Sequence, residues 1–245
     1  MSICTITLIS TSLFEVPTGI LSDKYLGRAR TMSVGVLTDI VSFIFFGFSG
    51  MYSSYWLLVC GGVLQGAAFS FYSGTDHALL YESLKQFRKQ SKYHEVYGRV
   101  NSMLQISAAV AALFGGFLAY MTSYTFVVWL SMIPLFIIFV ISVFYVEPKH
   151  IQSEDHDAHP YRHLKEAIQV FFKNKKLRKL ALIDVVDTAF GNVGHRFQIV
   201  FFQTLVPIWL IGIIRSIKQF GGALSFWFAG RVINKFGVFK TLIGG

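Results

Sequence analysis

Apolar residues run through this chain in long blocks, each closed by a short polar or basic stretch. The longest block, Val100 to Val146, contains no Asp, Glu, Lys, Arg or His. One helix crossing a bilayer core uses roughly 20 residues. The block therefore predicts two crossings, with the turn at Thr122–Ser123 and with Tyr120 and Tyr124 as interfacial aromatics. The same reading predicts seven spans, at 3–22, 31–49, 55–79, 98–120, 124–146, 180–200 and 208–231. The implied fold is an all-α polytopic membrane bundle. It divides into five spans over 1–146, a polar linker over 147–179, and two spans over 180–245.

Composition sharpens this picture. The 245 residues are 53% hydrophobic and 14% charged, against about 25% charged in a soluble domain. An ordinary soluble enzyme, a disordered chain and a disulfide scaffold are excluded on that ground. Cys4 and Cys60 both lie in apolar runs, where a free thiol acts as a small hydrophobe. No nucleophile triad, nucleotide-binding loop or dinucleotide turn appears, so neither an enzyme nor a cofactor is expected.

The net charge of +9 is read by position rather than as a nucleic-acid surface. Of the 22 lysines and arginines, 19 lie in the stretches after the first, third, fifth and seventh spans. The opposite connections, 50–54 and 121–124, carry none. Basic loops stay cytoplasmic. This predicts an outside N-terminus, a cytoplasmic C-terminus and a plasma (inner) membrane location. The first span begins almost at Met1 without a basic leader, so no cleaved signal peptide is expected, and a further apolar segment begins at Thr241–Gly245.

The stretches after spans one and seven repeat one pattern. Gly19, Asp23, Lys24 and Tyr25 align at constant offset with Gly230, Asn234, Lys235 and Phe236, the latter followed by Gly237. Internal repeats of this kind build many transporter folds. The run from Gly19 through Asp23, Lys24, Gly27, Arg28 and Arg30 resembles the signature Gly-x-Leu-x-Asp-Arg-x-Gly-Arg of the major facilitator superfamily of secondary transporters, with Leu26 as one extra residue. The segment Ser73–Leu84 resembles one common in bacterial members, and 147–179 resembles the family's central linker. Gly62 stands where the family's fourth-helix motif has an arginine, and Ala112 where its fifth-helix motif has a proline before Gly115-Gly116. The resemblance implies a partial family fold, with the seven spans as family helices 2–8 and truncation at both ends. It also implies transport of a small solute by alternating access. The acidic and basic residues of the signature loop would then form a contact that breaks as the halves rock.

Ionisable groups inside a membrane are costly and default to functional candidates. Glu15, Asp39, Asp76, Asp184 and Asp187 are the acids of this kind, and Arg215 and Lys218 the bases, with Arg196 beside them. At about 1.5 Å rise per residue, the acids fall toward the cytoplasmic half and Arg215 and Lys218 toward the outer half. Asp184, Asp187, Thr188, Gly191 and His195 share one face of span six. Glu15 and Asp187 are expected to carry a coupling proton or attract a cationic substrate, balanced by Arg215 and Lys218. Gln65, Asn101 and Gln105 are expected to line the pore or bond between helices.

In the linker, His150, His156, His159 and His163 read as a solvated segment, so no metal site is expected. From Pro160, Leu164, Ala167, Ile168, Phe171 and Phe172 form an apolar stripe bordered by lysines. This predicts an amphipathic helix on an anionic inner leaflet. The leading expectation is secondary active transport of a small solute by alternating access, with proton-coupled efflux of amphipathic or cationic compounds as its finer form. A seven-span receptor or photosensor, with Lys218 available to hold a pigment, and a non-transporting fragment are the alternatives.

Overall fold

The computed structural model describes residues 3–73, 75–146 and 171–236. The linker histidines, most of the amphipathic stripe and Gly237 lie outside the described residues. The described residues are helical, without a strand: α1 (Ile3–Leu21), α2 (Arg28–Tyr52), α3 (Tyr55–Tyr72), α4 (Thr75–Gln86), α5 (Tyr93–Met121), α6 (Tyr124–Leu130), α7 (Met132–Val143), α8 (Lys175–Leu205) and α9 (Ile208–Phe236).

The connections follow from a few residues. A π-helical turn over Ser22–Leu26 ends at Gly27, whose φ of 74° suits a residue without Cβ. Thr31 Oγ1 then donates to the Gly27 carbonyl at 2.7 Å and closes the first turn of α2. Ser123 caps α6 by accepting from the Phe126 amide at 3.2 Å. The expected fifth span runs as α6 and α7 through Ser131, which keeps helical φ and ψ. Pro134 lies in the first turn of α7, where its missing N–H cannot reach back to the Leu130 carbonyl. The expected third span is divided, because α3 ends at Tyr72 and α4 begins at Thr75.

Five stretches of the described residues are long and apolar enough to cross a membrane: Ile3–Leu21, Arg28–Tyr52, Tyr55–Gln86, Gln90–Met121 and Tyr124–Val143. At 31 and 29 residues, α8 and α9 have the length to do so. They are not among the five, and Asp184, Asp187, Arg215 and Lys218 interrupt their apolar sequence.

The chain forms two compact units, one of residues 1–149 with 212–245 and the other of residues 150–211. In the first unit the buried residues are small: Ala29, Ala68, Ala109, Thr31, Ser42 and Ser102 are each less than 5% exposed. Large apolar side chains point outward instead, as Phe144 (77%), Phe136 and Leu13 do. That inversion of the soluble pattern fits a lipid solvent, where small residues let helices approach and Leu or Phe meets acyl chains.

Helices α1 and α3 meet backbone to backbone at Gly66, where an added Cβ would lie 2.5 Å from the Thr7 carbonyl oxygen and from Ser10 Cβ. Backbone-directed hydroxyls reinforce it. Thr18 Oγ1 reaches the Ser70 carbonyl on α3 at 3.3 Å, and Ser42 Oγ of α2 donates to the Gly61 carbonyl at 2.8 Å. Ser33 of α2 donates to the Ser142 carbonyl of α7 at 3.0 Å. The part of α9 within this unit packs on α5, with Gly222 against the Gln105 amide and the Arg99 guanidinium 5.9 Å from the Trp227 ring centroid. The described part of the second unit is largely α8.

Candidate functional site

Three polar features of the first unit, two contacts and one unpartnered group, involve residues singled out from the sequence. The first ties the loop after α1 to α4. Arg28, the first residue of α2, pairs with Glu82 of α4 at 3.2 Å, both side chains about a quarter exposed. Glu82 was not marked as a site residue, although it lies in the Ser73–Leu84 segment. Gly19 has open space where a Cβ would be, so the tight geometry of this loop falls on Gly27. Arg30 is exposed, and the side chains of Asp23 and Lys24 lie outside the described residues. A partly exposed pair contributes about 1 kcal/mol or less. Arg28→Ala is thus expected to move the thermal midpoint by no more than about 4 °C. Arg28→Glu lowers it further through repulsion from Glu82, and the exchanged pair Arg28→Glu with Glu82→Arg recovers it. A thermal melt followed by size-exclusion chromatography reads all three.

The second contact joins α1 to the α3–α4 break. Ser73 Oγ donates to Glu15 Oε1 at 3.0 Å on an exposed surface.

The third concerns Asp39, midway along α2. Its Oδ1 is buried and makes no hydrogen bond. Gly35, one turn earlier on the same face, leaves room for Phe71 and Tyr72 of α3, and an added Cβ there would lie 2.9 Å from the Tyr72 ring. That approach sets Tyr72 within electrostatic reach of Asp39. A buried carboxyl oxygen left without a partner costs about 1–3 kcal/mol, which most helix interiors avoid. In an apolar span such a group is a candidate for function rather than for packing.

The remaining candidates are placed more simply. Asp76 lies in the first turn of α4, is exposed, and accepts from the His77 amide at 2.7 Å. His77 lies 5.0 Å from the Tyr97 ring, and Tyr81 5.8 Å from Tyr93, an aromatic ladder between α4 and α5. Asn101 donates to the Tyr97 carbonyl of its own helix at 3.0 Å, so in this state it bonds along α5 rather than across helices. Gln65 is half-buried on α3, while Arg215 and Lys218 are exposed on α9. The backbones of Asp184, Asp187 and His195 lie on α8, and those of Gly230, Asn234 and Lys235 near the end of α9. Their side chains, like that of Arg196, lie outside the described residues.

No curated protein and no solved structure matches this chain. The family model of the Major Facilitator Superfamily matches residues 1–245. Together with outward-facing apolar spans held by small residues, the match identifies the chain as a member of the Major Facilitator Superfamily and hence as a multi-pass membrane protein of a transporter family.

Proposed function

We propose that the protein moves an amphipathic or cationic solute across the plasma membrane by alternating access, coupled to protons and directed outward. The single observation that supports proton coupling is Asp39, a carboxyl group in an apolar span with a buried, unpartnered oxygen. Such a group can take up a proton from one side and release it to the other as its surroundings change, while a side chain kept only for packing would be apolar. Glu15, held by Ser73 at the end of α3, is a second acid on the proposed proton or substrate path. Asp76, Asp184, Asp187 and His195 complete the proposed acidic and titratable set, and Arg215 and Lys218 provide the counter-charge. Gln65 and Asn101 are proposed to border the path.

In this reading the turn from Gly19 to Arg30, with its counterpart at Gly230, Asn234, Lys235 and Gly237, serves as the gate. The Arg28–Glu82 pair stiffens that gate in the conformation described. Charge bias favours an outside N-terminus, with the linker over 147–179 on an anionic inner leaflet between bundles of five and two spans.

The test is flux in liposomes reconstituted with the protein, using a panel of organic cations, neutral amphiphiles and anions. Cations and amphiphiles are expected to move at least tenfold faster with an imposed pH gradient than without it. Equal rates under the two conditions, for every compound carried, overturn the coupling.

A further inference from the structure

At the end of α2 remote from Arg28, about 36 Å away along the helix, the first unit holds a cavity of about 580 Å³ between α2, α3 and α6. Phe46, Leu58 and Val128 supply apolar wall. Ser53, Ser54 and Thr125 supply hydroxyl groups, and no acid, lysine, arginine or histidine lines it. The connection that forms its edge is fixed. Ser49 Oγ donates to the Ser54 carbonyl at 2.9 Å, and the Ser54 amide donates back to the Ser49 carbonyl at 3.3 Å. Gly50 brings α2 directly against Thr125 of α6, leaving no room there for a Cβ.

Ser53 ends α2 in a left-handed conformation, φ 50° and ψ 34°, with its amide donating to the Ser49 carbonyl as a helix C-terminal turn. The hydroxyls of Ser53, Ser54 and Thr125 make no hydrogen bond to the described residues, and Ser54 occupies the position before α3 without capping it. They are uncommitted polar groups over an apolar wall. Around this end stand Tyr52, Tyr55, Trp56 and Tyr124, all more than half exposed, the arrangement of an aromatic belt at the depth of lipid headgroups.

We propose that this cavity is a binding site for an uncharged amphiphile, its hydroxyl- or carbonyl-bearing head at Ser53, Ser54 and Thr125 and its apolar tail against Phe46, Leu58 and Val128. A charged head would enter without a counter-ion and is disfavoured. The site is separate from Asp39 and Glu15 and does not depend on proton coupling.

The test uses the protein in lipid nanodiscs and a 1-O-alkylglycerol carrying a diazirine in its chain, made with a long chain that partitions into the bilayer and with a short, water-soluble one. Labelled positions are mapped by peptide mass spectrometry. Saturable labelling is expected within 53–58 and 124–128, competed by unlabelled alkylglycerol but not by alkyl sulfate or alkyltrimethylammonium of equal length. Labelling by the long-chain probe alone supports the site and assigns its ligand to the bilayer. Labelling by both supports it and assigns the ligand to either phase. Thr125→Val combined with Ser54→Ala is expected to lower labelling about tenfold. Ser54→Trp, which removes no cap, is expected to abolish labelling at an unchanged elution volume. If Ser54→Trp misfolds, the double variant decides. Labelling that does not saturate, that charged competitors reduce equally, or that the double variant leaves intact overturns the proposal.

Discussion

Gly66→Leu is expected to eliminate the folded protein, and Gly66→Ala to lose about 3 kcal/mol or more, the upper range for forcing atoms into a filled interior. At Gly66 the neighbours are the Thr7 carbonyl oxygen and Ser10 Cβ at 2.5 Å and the Thr11 nitrogen at 2.9 Å from where a Cβ would stand. Backbone cannot rotate away as a side-chain tip can, so α1 and α3 must separate. Separation removes the Thr18 bond to the Ser70 carbonyl as well. The matched control is Gly115→Ala on α5, where an added Cβ meets nothing within 4 Å. That change is expected to be neutral or to gain up to about 1 kcal/mol from helix propensity. Thermal denaturation in detergent, read as the surviving monodisperse peak, separates the two. Equal losses at both positions would mean that α1 and α3 do not meet at Gly66.

Asp39→Leu is expected to act in opposite directions on stability and on transport. Removing a buried oxygen that has no hydrogen bond relieves about 1–3 kcal/mol, so the thermal midpoint rises. Gradient-driven transport falls by at least tenfold, since no group at this position then takes up a proton. Asp39→Asn keeps the shape and isolates the charge, and it is expected to lose gradient-driven transport while retaining exchange of solute across the membrane. Stability set against activity at one residue is the behaviour of a functional position. A loss of both would instead place Asp39 among the structural groups.

Much of this architecture can be read from the chain. The charge-free run over 100–146 is sufficient for two crossings, because lipid admits little besides helices with apolar surfaces. Gly61, Gly62 and Gly66 advertise close packing, yet which helix comes close depends on tertiary arrangement, and α1 supplies Ser10 and Thr7 opposite Gly66. The break after Tyr72 escapes a reading by hydropathy, which averages over a window and is blind to local backbone conformation. Depth along a helix singled out Asp39 but could not show that its oxygen is orphaned, since that depends on the side chains brought up by α3. The pairing of Arg28 with Glu82 was hidden for the same reason. Asn101 misleads in the other direction, because an amide in a membrane helix can satisfy itself on the carbonyl one turn back.

The most direct test of the account is proton movement driven by solute. Liposomes reconstituted with the protein and loaded with a pH-sensitive dye are exposed to a transported compound in the absence of any imposed pH gradient. Proton coupling through Asp39 gives a change of internal pH that begins with addition of the solute, is abolished by a protonophore, and is absent with Asp39→Asn although solute still exchanges. Solute uptake with no accompanying pH change, or an undiminished pH change in the Asp39→Asn protein, contradicts it.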